Sequence, residues 1–395
     1  MVSLVPLPPM SLADHFQQIR LYTESLCSPL SIEDYLPQLV DYTSPPKWHL
    51  AHTTWFFEEM ILKKYSDDYQ EFDRDFCFLF NSYYNHVGDR LARSSRGDIS
   101  KPDVEQIYAY RRYVNDAMQA LMDKDVSQEV MNLIVLGINH EQQHQELLIT
   151  DLKYSLGHNP LFPAYEKNAN FLDDKNSEKG TITLPEGLYD VGYSEQGFHF
   201  DNECQAHKVY LNEFTINKSL VTNAEYIEFI EDGGYDKFEH WLDDGWAWKN
   251  QNNVTSPLYW HAEGHNIDGG WHYYTLAGLK PVNPDAMLAH ISFYEASAFA
   301  AWKGMRLPTE FEWEAASSQL TWGKRWEWTN SAYLPYPGFS ISKDAVGEYN
   351  GKFMVNQMVL RGASVATSEG HSRSTYRNFF HPHLQWQYSG IRLAR

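Results

Sequence analysis

A long segment with the apolar spacing of an α-helix, residues 127–156, constrains this chain most. It ends at Gly157, and a glycine just past the last periodic residue is a common helix stop. Within it, His140 and His144 lie four residues apart, so both imidazoles project from one face of the helix. Buried imidazoles need polar partners, and a shared metal ion would satisfy both. An exposed histidine pair on a polar face is the alternative, and the spacing alone does not choose between them.

Three further segments with helical spacing precede this one. The first runs over about residues 11–26, the second follows Pro45-Pro46 as far as Glu59, and the third covers about residues 100–122. Prolines are well placed at a helix entrance, and a serine just before the first apolar repeat is a typical N-cap. Four helices of this length with one longer connection predict a four-helix bundle.

The second of these helices carries a third histidine, His52, on its inward face. Together with His140 and His144 it would give three imidazoles from two helices, and three protein ligands with open positions are typical of a catalytic metal site. His49, one turn earlier, is a competing candidate. Zinc, iron, copper and nickel all accept imidazole, so residue type does not choose the metal. We interpret Glu146, roughly opposite His144 on the helix, as a carboxylate that is solvated or supports the ligands from behind.

The connection after the second helix is aromatic and then basic. Tyr83 and Tyr84 are followed by Arg90, Arg93 and Arg96. Arginines at this density could clamp a carboxylate group. Surface ion pairing with the excess acidic side chains is the simpler interpretation of the arginines, as packing is for each tyrosine.

The second half of the chain has a different pattern. Residues 158–180 are polar and are interpreted as a linker, and beyond residue 181 helical spacing gives way to glycine, tryptophan and short alternating runs. We predict strands near 187–192 and 207–211 and short helices near 222–232 and 292–303. The predicted organisation is therefore multidomain, α followed by α+β: a bundle over 1–157, a linker over 158–180 and a loop-rich α+β domain over 181–395.

Charge and cysteine content exclude several classes of function. The chain has 32 basic and 52 acidic side chains, for a formal net charge of −20, which argues against binding to nucleic acid or to an anionic membrane surface. Three widely spaced cysteines form no disulfide framework and indicate a reducing compartment. No stretch has the pattern of a signal peptide or a membrane span. We therefore expect a cytoplasmic protein.

Several motifs in the second half resemble the formylglycine-generating-enzyme fold, which is related to the C-type lectins. They are DNE at 201–203, VTNAEY at 221–226, RLPTEFEWE at 306–314 and LRGAS at 360–364. The resemblance covers nearly all of 181–395. The oxidase activity of that family depends on a cysteine pair near its C-terminal end, and this chain has no cysteine after Cys204. The resemblance therefore implies the fold but not the formylglycine chemistry.

The first half resembles a DinB-like bundle with a three-histidine metal site. A DinB-like bundle followed by this second domain is similar to the ergothioneine-biosynthesis sulfoxide synthases, the hercynine oxygenases. The ligand pattern of that family, Leu-Ala-His and His-Glu-x-x-His-x-Glu, falls on His52, His140 and His144 and disfavours His49. The resemblance implies iron(II) as cofactor, O₂ as co-substrate, and a reaction that joins the sulfur of L-cysteine to the imidazole C2 of hercynine as a sulfoxide.

The resemblance also implies roles for residues outside the metal site. The double tyrosine, the three arginines and the run Arg377-Asn378-Phe379-Phe380 match the branch of the family that uses free cysteine. Its implied active site lies between the domains. A tyrosine would act as general acid, the arginines would bind the cysteine carboxylate, a glutamine and an asparagine would hydrogen-bond the substrates, and two phenylalanines would face the trimethylammonium group. The general acid would be Tyr83 or Tyr84, and the arginines are Arg90, Arg93 and Arg96. The glutamine is Gln143, the asparagine is Asn378, and the phenylalanines are Phe379 and Phe380.

Three other functions remain open at this point. A selenoneine or ovothiol-type synthase would keep the metal but change the sulfur or selenium donor, or would use histidine itself as acceptor. A zinc-dependent DinB-like thiol transferase would work without O₂. A ligand-binding module with a vestigial metal site would show no turnover.

Overall fold

The structure is a computed structural model that describes residues 10–82, 88–169, 171–172, 174–175, 178–195, 197–262, 270–340 and 350–395. The chain separates into two compact units, Met1–Leu152 and Lys153–Arg395. The first is helical and the second is α+β, which confirms the predicted fold class. No helix among the described residues is long and apolar enough to cross a membrane.

The four helices predicted for the first unit are present. The helices of this half are α1 Leu12–Cys27, α2 Pro46–Phe57, α3 Lys63–Tyr65, α4 Arg74–Phe80, α5 Val104–Met122 and α6 Gln128–Gly157. Side chains cap two of them as N-caps should: Ser11 accepts from the Asp14 amide, and Asp103 accepts from the Gln106 amide. A π-helical turn, Glu58–Leu62, joins α2 to α3, so the helical stretch continues past the end predicted at Glu59.

Helix α2 is the centre of this unit, because every residue of Pro46–Phe57 is buried. Helix α6 approaches it closely at Gly137. A Cβ atom there would lie 2.5 Å from Cε1 of Phe57 and 3.0 Å from Cε1 of Phe56, which is closer than packed carbons allow. A residue without a side chain is therefore what lets α6 come this near to α2.

The second unit contains eleven short strands in four antiparallel or mixed sheets among its described residues. The predicted pair of strands is confirmed, since Gly187–Val191 and His207–Leu211 form an antiparallel ladder with Tyr189 opposite Val209. In chain order the strands are β1 Thr181–Leu184, β2 Gly187–Val191, β3 His207–Leu211, β4 Phe214–Asn217, β5 Trp260–His261, β6 His272–Thr275, β7 Gly278–Pro281, β8 Trp326–Ala332, β9 Met358–Gly362, β10 Asn378–Phe380 and β11 Ser389–Gly390. The largest sheet has the order β10-β9-β8-β11.

Four α-helices accompany these strands in the described part of this unit. They are α7 Asn223–Glu231, α8 Asp243–Asn252, α9 Phe293–Trp302 and α10 Glu310–Ala316. Helices α7 and α9 confirm the two predicted ones, and both begin with a capping box, from Thr222 and Ser292 respectively. Helix α10 packs Trp313 into an apolar core with strands β1, β3 and β4. The sequence analysis does not predict α8 or α10.

The division by contacts falls at residues 152/153, whereas the sequence prediction puts the boundary at 157/158 and a linker over 158–180. The end of α6 belongs to the second unit, where Lys153 packs: its Nζ lies 2.6 Å from Nε2 of His290. Described residues of the segment that follows also contact the second unit. The Tyr165 amide donates to the Leu276 carbonyl at 2.8 Å, and Leu172 is buried.

Candidate metal centre

Three buried imidazoles converge inside the helical unit. One ring nitrogen from each of His52, His140 and His144 lies within 4.8 Å of those of the other two. Helix α2 supplies the first and α6 the other two, one turn apart, as the sequence spacing requires. All three side chains are almost fully buried, so water does not solvate this set of nitrogens.

His52 is fixed on three sides. Its Nδ1–H donates to the carbonyl of Phe80 at the end of α4, at 2.6 Å, which leaves Nε2 with a free lone pair. The ring lies between two indoles, with centroids 4.4 Å from Trp48 and 5.5 Å from Trp55 and with planes nearly parallel. Nε2 is buried and has no hydrogen-bond partner among the described residues. A buried acceptor without a partner is costly, and a metal ion would satisfy it.

Burial keeps these rings neutral. Loss of solvation lowers the pKa of His140 to about 4, and it lowers the pKa of both His52 and His144 well below the usual value. The neighbouring imidazoles lower both values further. Neutral imidazole is the form that binds metal. At neutral pH the site therefore offers uncharged nitrogen donors with no proton to displace.

A buried ion cluster holds α6 in place next to these ligands. Glu141, beside His140, is fully buried, and its carboxylate accepts from Arg20 at 2.8 Å and from Arg111 at 3.0 Å. Thr23 donates to the same carboxylate at 2.6 Å. Burial by itself would raise the pKa of Glu141, but the two guanidinium groups outweigh it and hold the pKa below its usual value. Helices α1 and α5 thus clamp α6 through one carboxylate.

His49 does not belong to the converging set. Its Nδ1 lies 2.9 Å from Nδ1 of His144, and its Nε2 lies 3.0 Å from Oδ2 of Asp151. It therefore contacts a member of the triad from behind. Glu146 is buried, so of its two interpretations the solvated carboxylate is wrong.

The residues present fit a metal ion of borderline softness. Three neutral imidazoles, a buried acceptor on His52 and supporting hydrogen bonds to the other ring nitrogens of His52 and His144 are features of a three-histidine metal site. Within the described part of the chain, no carboxylate belongs to the converging group. Iron, zinc, copper and nickel remain compatible with this donor set.

The three arginines proposed for the substrate carboxylate differ in their surroundings. Arg96 is buried and donates to Ser44 Oγ and Ser82 Oγ, both at 2.8 Å, and its guanidinium lies 3.4 Å from the ring centroid of Trp48. Arg93 is half-buried and donates to the Tyr42 carbonyl. Arg90 is exposed. Arg96 therefore supports the indole that stacks on His52, and Arg90 and Arg93 are the more accessible of the three.

The remaining predicted site residues lie apart from one another in the chain. Gln143, on α6 next to His144, is half-buried. Tyr83 and Tyr84 lie outside the described residues. In the second unit, Asn378 begins β10, and its Oδ1 accepts from the Phe379 amide at 2.9 Å.

The two phenylalanines of β10 pack against other aromatic rings. Phe379 stacks on Tyr333 with centroids 4.0 Å apart, and Phe380 meets Trp386 edge-on at 5.0 Å. Both are half-buried, so part of each ring remains accessible to a ligand.

Sequence reasoning missed two residues that surround the three imidazoles. Trp48 stacks on His52, and Asp151 binds His49. Trp48 precedes His52 by four residues, so its place on the same face of α2 could have been read from the helical period. Asp151 lies two turns beyond His144 on α6, and nothing in its local sequence indicates a buried carboxylate.

Comparison with known proteins identifies relatives that align with most of the chain. It is 28% identical over 409 residues to the hercynine oxygenase of Mycolicibacterium smegmatis, an alignment that covers 89% of this chain and 91% of the relative. The hercynine oxygenase of Mycobacterium tuberculosis is 29% identical and covers 66% and 71% of the two chains. The chain is a homologue of the hercynine oxygenases.

The second half has relatives of its own. Residues 167–325 match the family described as sulfatase-modifying factor enzyme 1-like domain. The formylglycine-generating enzyme of Streptomyces coelicolor is 29% identical over 168 residues, which cover 38% of this chain and 51% of the relative. The resemblance inferred from the motifs of the second half is therefore confirmed.

Proposed function

We propose that this protein is a non-haem iron(II), O₂-dependent sulfoxide synthase that joins the sulfur of L-cysteine to the imidazole C2 of hercynine. The observation that carries the proposal is the set of three buried, neutral imidazoles, His52, His140 and His144. It occurs in a chain homologous to hercynine oxygenases over most of its length, which supports an oxygenase activity on hercynine. The identity of the metal as iron and of the sulfur donor as L-cysteine are the more specific parts of the proposal.

The reaction balances with one molecule of O₂. The C2–H bond of the imidazole and the S–H bond of the thiol are lost, and a C–S bond forms. One oxygen atom ends on the sulfur and the other leaves as water with the two hydrogens. The two substrates together supply the four electrons that reduce O₂, so no external reductant is required.

The metal supplies open coordination positions and one-electron redox chemistry where the two substrates and oxygen meet. Residues of the chain bind and orient the reactants. Arg90 and Arg93 would take the cysteine carboxylate, since both are more accessible than Arg96, which is buried. Gathering both substrates at one point makes the coupling effectively intramolecular.

Hercynine would be recognised at both ends. The amide of Asn378 would bind its carboxylate, and Phe379 and Phe380 would face its trimethylammonium group. Gln143 would hydrogen-bond a substrate from the ligand helix.

Proton donation to reduced oxygen is assigned to Tyr83 or Tyr84. Replacing both by phenylalanine should divert cysteine sulfur towards the sulfinic acid. An unchanged product ratio would remove this role.

The deciding experiment is aerobic incubation of anaerobically purified protein with ferrous iron, hercynine and cysteine, followed by mass analysis. The expected product is the cysteine–hercynine sulfoxide, with one ¹⁸O atom when ¹⁸O₂ is used. Parallel reactions replace cysteine by γ-glutamylcysteine or by a selenosugar, or replace hercynine by histidine. Preference for one of these substrates would replace the present assignment, and turnover with zinc in the absence of O₂ would favour a thiol transferase.

Removing one imidazole tests the ligand set. His52→Ala, His140→Ala and His144→Ala should each lose stoichiometric iron and all turnover, because two imidazoles hold ferrous iron weakly. His381→Ala, which changes an exposed histidine, is the matched control and should retain both. Full iron content in a triad variant would remove that residue from the ligand set.

The aromatic contact to hercynine can be separated from simple packing. Replacing Phe379 and Phe380 by leucine keeps apolar volume but removes the ring faces. A cation–π contact of about 1–2 kcal/mol predicts a rise of roughly 5–30-fold in KM for hercynine. KM for cysteine should change less than twofold, and equal rises for both substrates would contradict the assignment.

A further inference from the structure

His144 has a supporting chain of hydrogen bonds that reaches from its ring to a buried carboxylate. Its Nδ1 lies 2.9 Å from Nδ1 of His49, and Nε2 of His49 lies 3.0 Å from Oδ2 of Asp151. The Ser44 amide donates to the same carboxylate oxygen at 2.8 Å. All four residues are buried, so water does not compete for these contacts.

The carboxylate sets the direction of the chain. An ionised carboxylate only accepts hydrogen bonds, so the nitrogen of His49 that faces it must carry a proton. A neutral His49 with a proton on Nε2 has a lone pair on Nδ1. Since two imidazole nitrogens at 2.9 Å need one proton between them, Nδ1 of His144 must then be the donor. Its own lone pair is left on Nε2.

We propose that His49 and Asp151 are positioning residues that fix the tautomer and the ring orientation of His144, so that its Nε2 is presented to the metal. The inference rests on the metal role assigned under the proposed function. His52 is fixed in the same sense by the Phe80 carbonyl. A hydrogen bond to the outer nitrogen of a metal-bound imidazole typically contributes 10–100-fold in metal affinity.

Asn and Leu side chains have nearly the same shape, so two substitutions of His49 separate hydrogen bonding from packing. His49→Asn can place an amide oxygen where Nδ1 was, whereas His49→Leu offers no acceptor. With zinc as the probe in competition with a chromophoric chelator, the dissociation constant should rise roughly 10–100-fold in His49→Leu. In His49→Asn most of this loss should be recovered.

Two results would overturn the inference. Unchanged zinc affinity in His49→Leu would show that His144 needs no support from His49. Equal losses in both variants would show that only the volume of the imidazole matters. Circular dichroism and thermal melting of the zinc-free variants check that each one folds.

Nuclear magnetic resonance of the unsubstituted protein provides a test that does not depend on any variant. In the zinc-loaded protein with ¹⁵N-labelled histidine, two-bond couplings should show a protonated Nδ1 and a metal-bound Nε2 for His144. His49 should carry its proton on Nε2 alone. Metal bound through Nδ1 of His144, or a proton on Nδ1 of His49, would overturn the inference.

These outcomes are distinct from failure of the proposed function. A protein that binds zinc with the expected tautomers but does not couple hercynine to cysteine would leave the positioning role intact and remove the assigned reaction. If wild type and His49→Leu couple the substrates equally well and bind zinc with equal affinity, the assigned reaction would stand and the positioning role would be removed. Absence of metal binding in the wild type would overturn both.

Discussion

At the scale of single residues, Glu141 is the clearest case of a side chain whose loss should cost stability. Its carboxylate is fully buried between Arg20 and Arg111. Glu141→Gln would leave the buried Arg20 without its paired carboxylate and Arg111 with only the partly exposed Glu24, so we expect the free energy of unfolding to fall by about 3–5 kcal/mol. Denaturant unfolding followed by circular dichroism measures this change.

The matched control is Glu24→Gln. Glu24 accepts from the same Arg111, at 3.3 Å, but 29% of its side chain is exposed. A partly exposed pair contributes about 0–1 kcal/mol, and its loss should be within that range. Equal destabilisation by both substitutions would show that burial of Glu141 is not what makes it important.

The burial of His371 should make the free energy of unfolding depend on pH, whether or not metal is bound. Its ring is buried beside Tyr376 and Phe200, and neither of its ring nitrogens has a hydrogen-bond partner among the described residues. Burial, with a smaller contribution from Arg373, lowers the pKa of this imidazole to about 3. The unfolded chain therefore binds a proton below about pH 6.5 that the folded chain does not.

Protonation of His371 in the unfolded chain alone stabilises the unfolded state at low pH. The free energy of unfolding should decrease as the pH falls from about 6.5 towards 3, by about 1.4 kcal/mol per pH unit from this one group. His371→Phe removes the group, so between pH 6.5 and pH 5 the variant should lose about 2 kcal/mol less than the wild type. His381→Phe, at an exposed ring, should keep the wild-type slope. Parallel pH profiles for wild type and His371→Phe would contradict the prediction.

At the scale of elements, the approach of α6 to α2 depends on Gly137. In an isolated helix an alanine there would be favourable by about 1 kcal/mol. In this protein its methyl group would lie 2.5 Å from the Phe57 ring, and overpacking costs about 1–3 kcal/mol. We expect Gly137→Ala to lower the melting temperature and to weaken zinc binding, because His140 lies one turn away on the same helix.

A substitution on the exposed side of α6 provides the comparison. Asn132→Ala also improves helix propensity, by a few tenths of a kcal/mol, and its side chain is exposed. It should raise the melting temperature slightly or leave it unchanged. Stabilisation by Gly137→Ala as well would mean that the two helices can move apart without cost.

The strands and helices of the second unit show what local sequence specifies. Capping boxes that begin with Thr222, Ser292 and Thr309 start α7, α9 and α10, because the side chains at the first turn satisfy backbone amides directly. The π-helical turn Glu58–Leu62 has no such local signal. It buries Glu58, which accepts from Tyr69 and Tyr110, and these partners come from elsewhere in the chain.

At the scale of the whole molecule, the two compact units should respond differently to metal. All three imidazoles belong to Met1–Leu152, so bound metal should stabilise that unit, by about 2.7 kcal/mol at a concentration 100-fold above its dissociation constant. Hydrogen exchange with and without zinc measures this. Peptides from α2 and the first part of α6 should gain more protection than peptides from β8 and β9, and equal gains would contradict a site confined to the helical unit.

Periodicity was sufficient to predict the four long helices, the change of class in the second half and the facing pair His140 and His144. These features follow from residues close in sequence: helix period, capping and strand alternation act over a few residues. The convergence of His52 with this pair was predicted from the family pattern and from the expectation of facing helices.

The tertiary structure decided what lies around those residues. His49 contacts Asp151 and Nδ1 of His144, and Arg96 stacks on the ring of Trp48. Lys153, in the last turn of α6, contacts His290. None of these contacts follows from local spacing, because each joins side chains whose distance depends on how buried elements pack. The sequence determined which residue types could form a metal centre, and the packing of α2 against α6 decided which imidazoles converge and that His49 lies behind them, against His144.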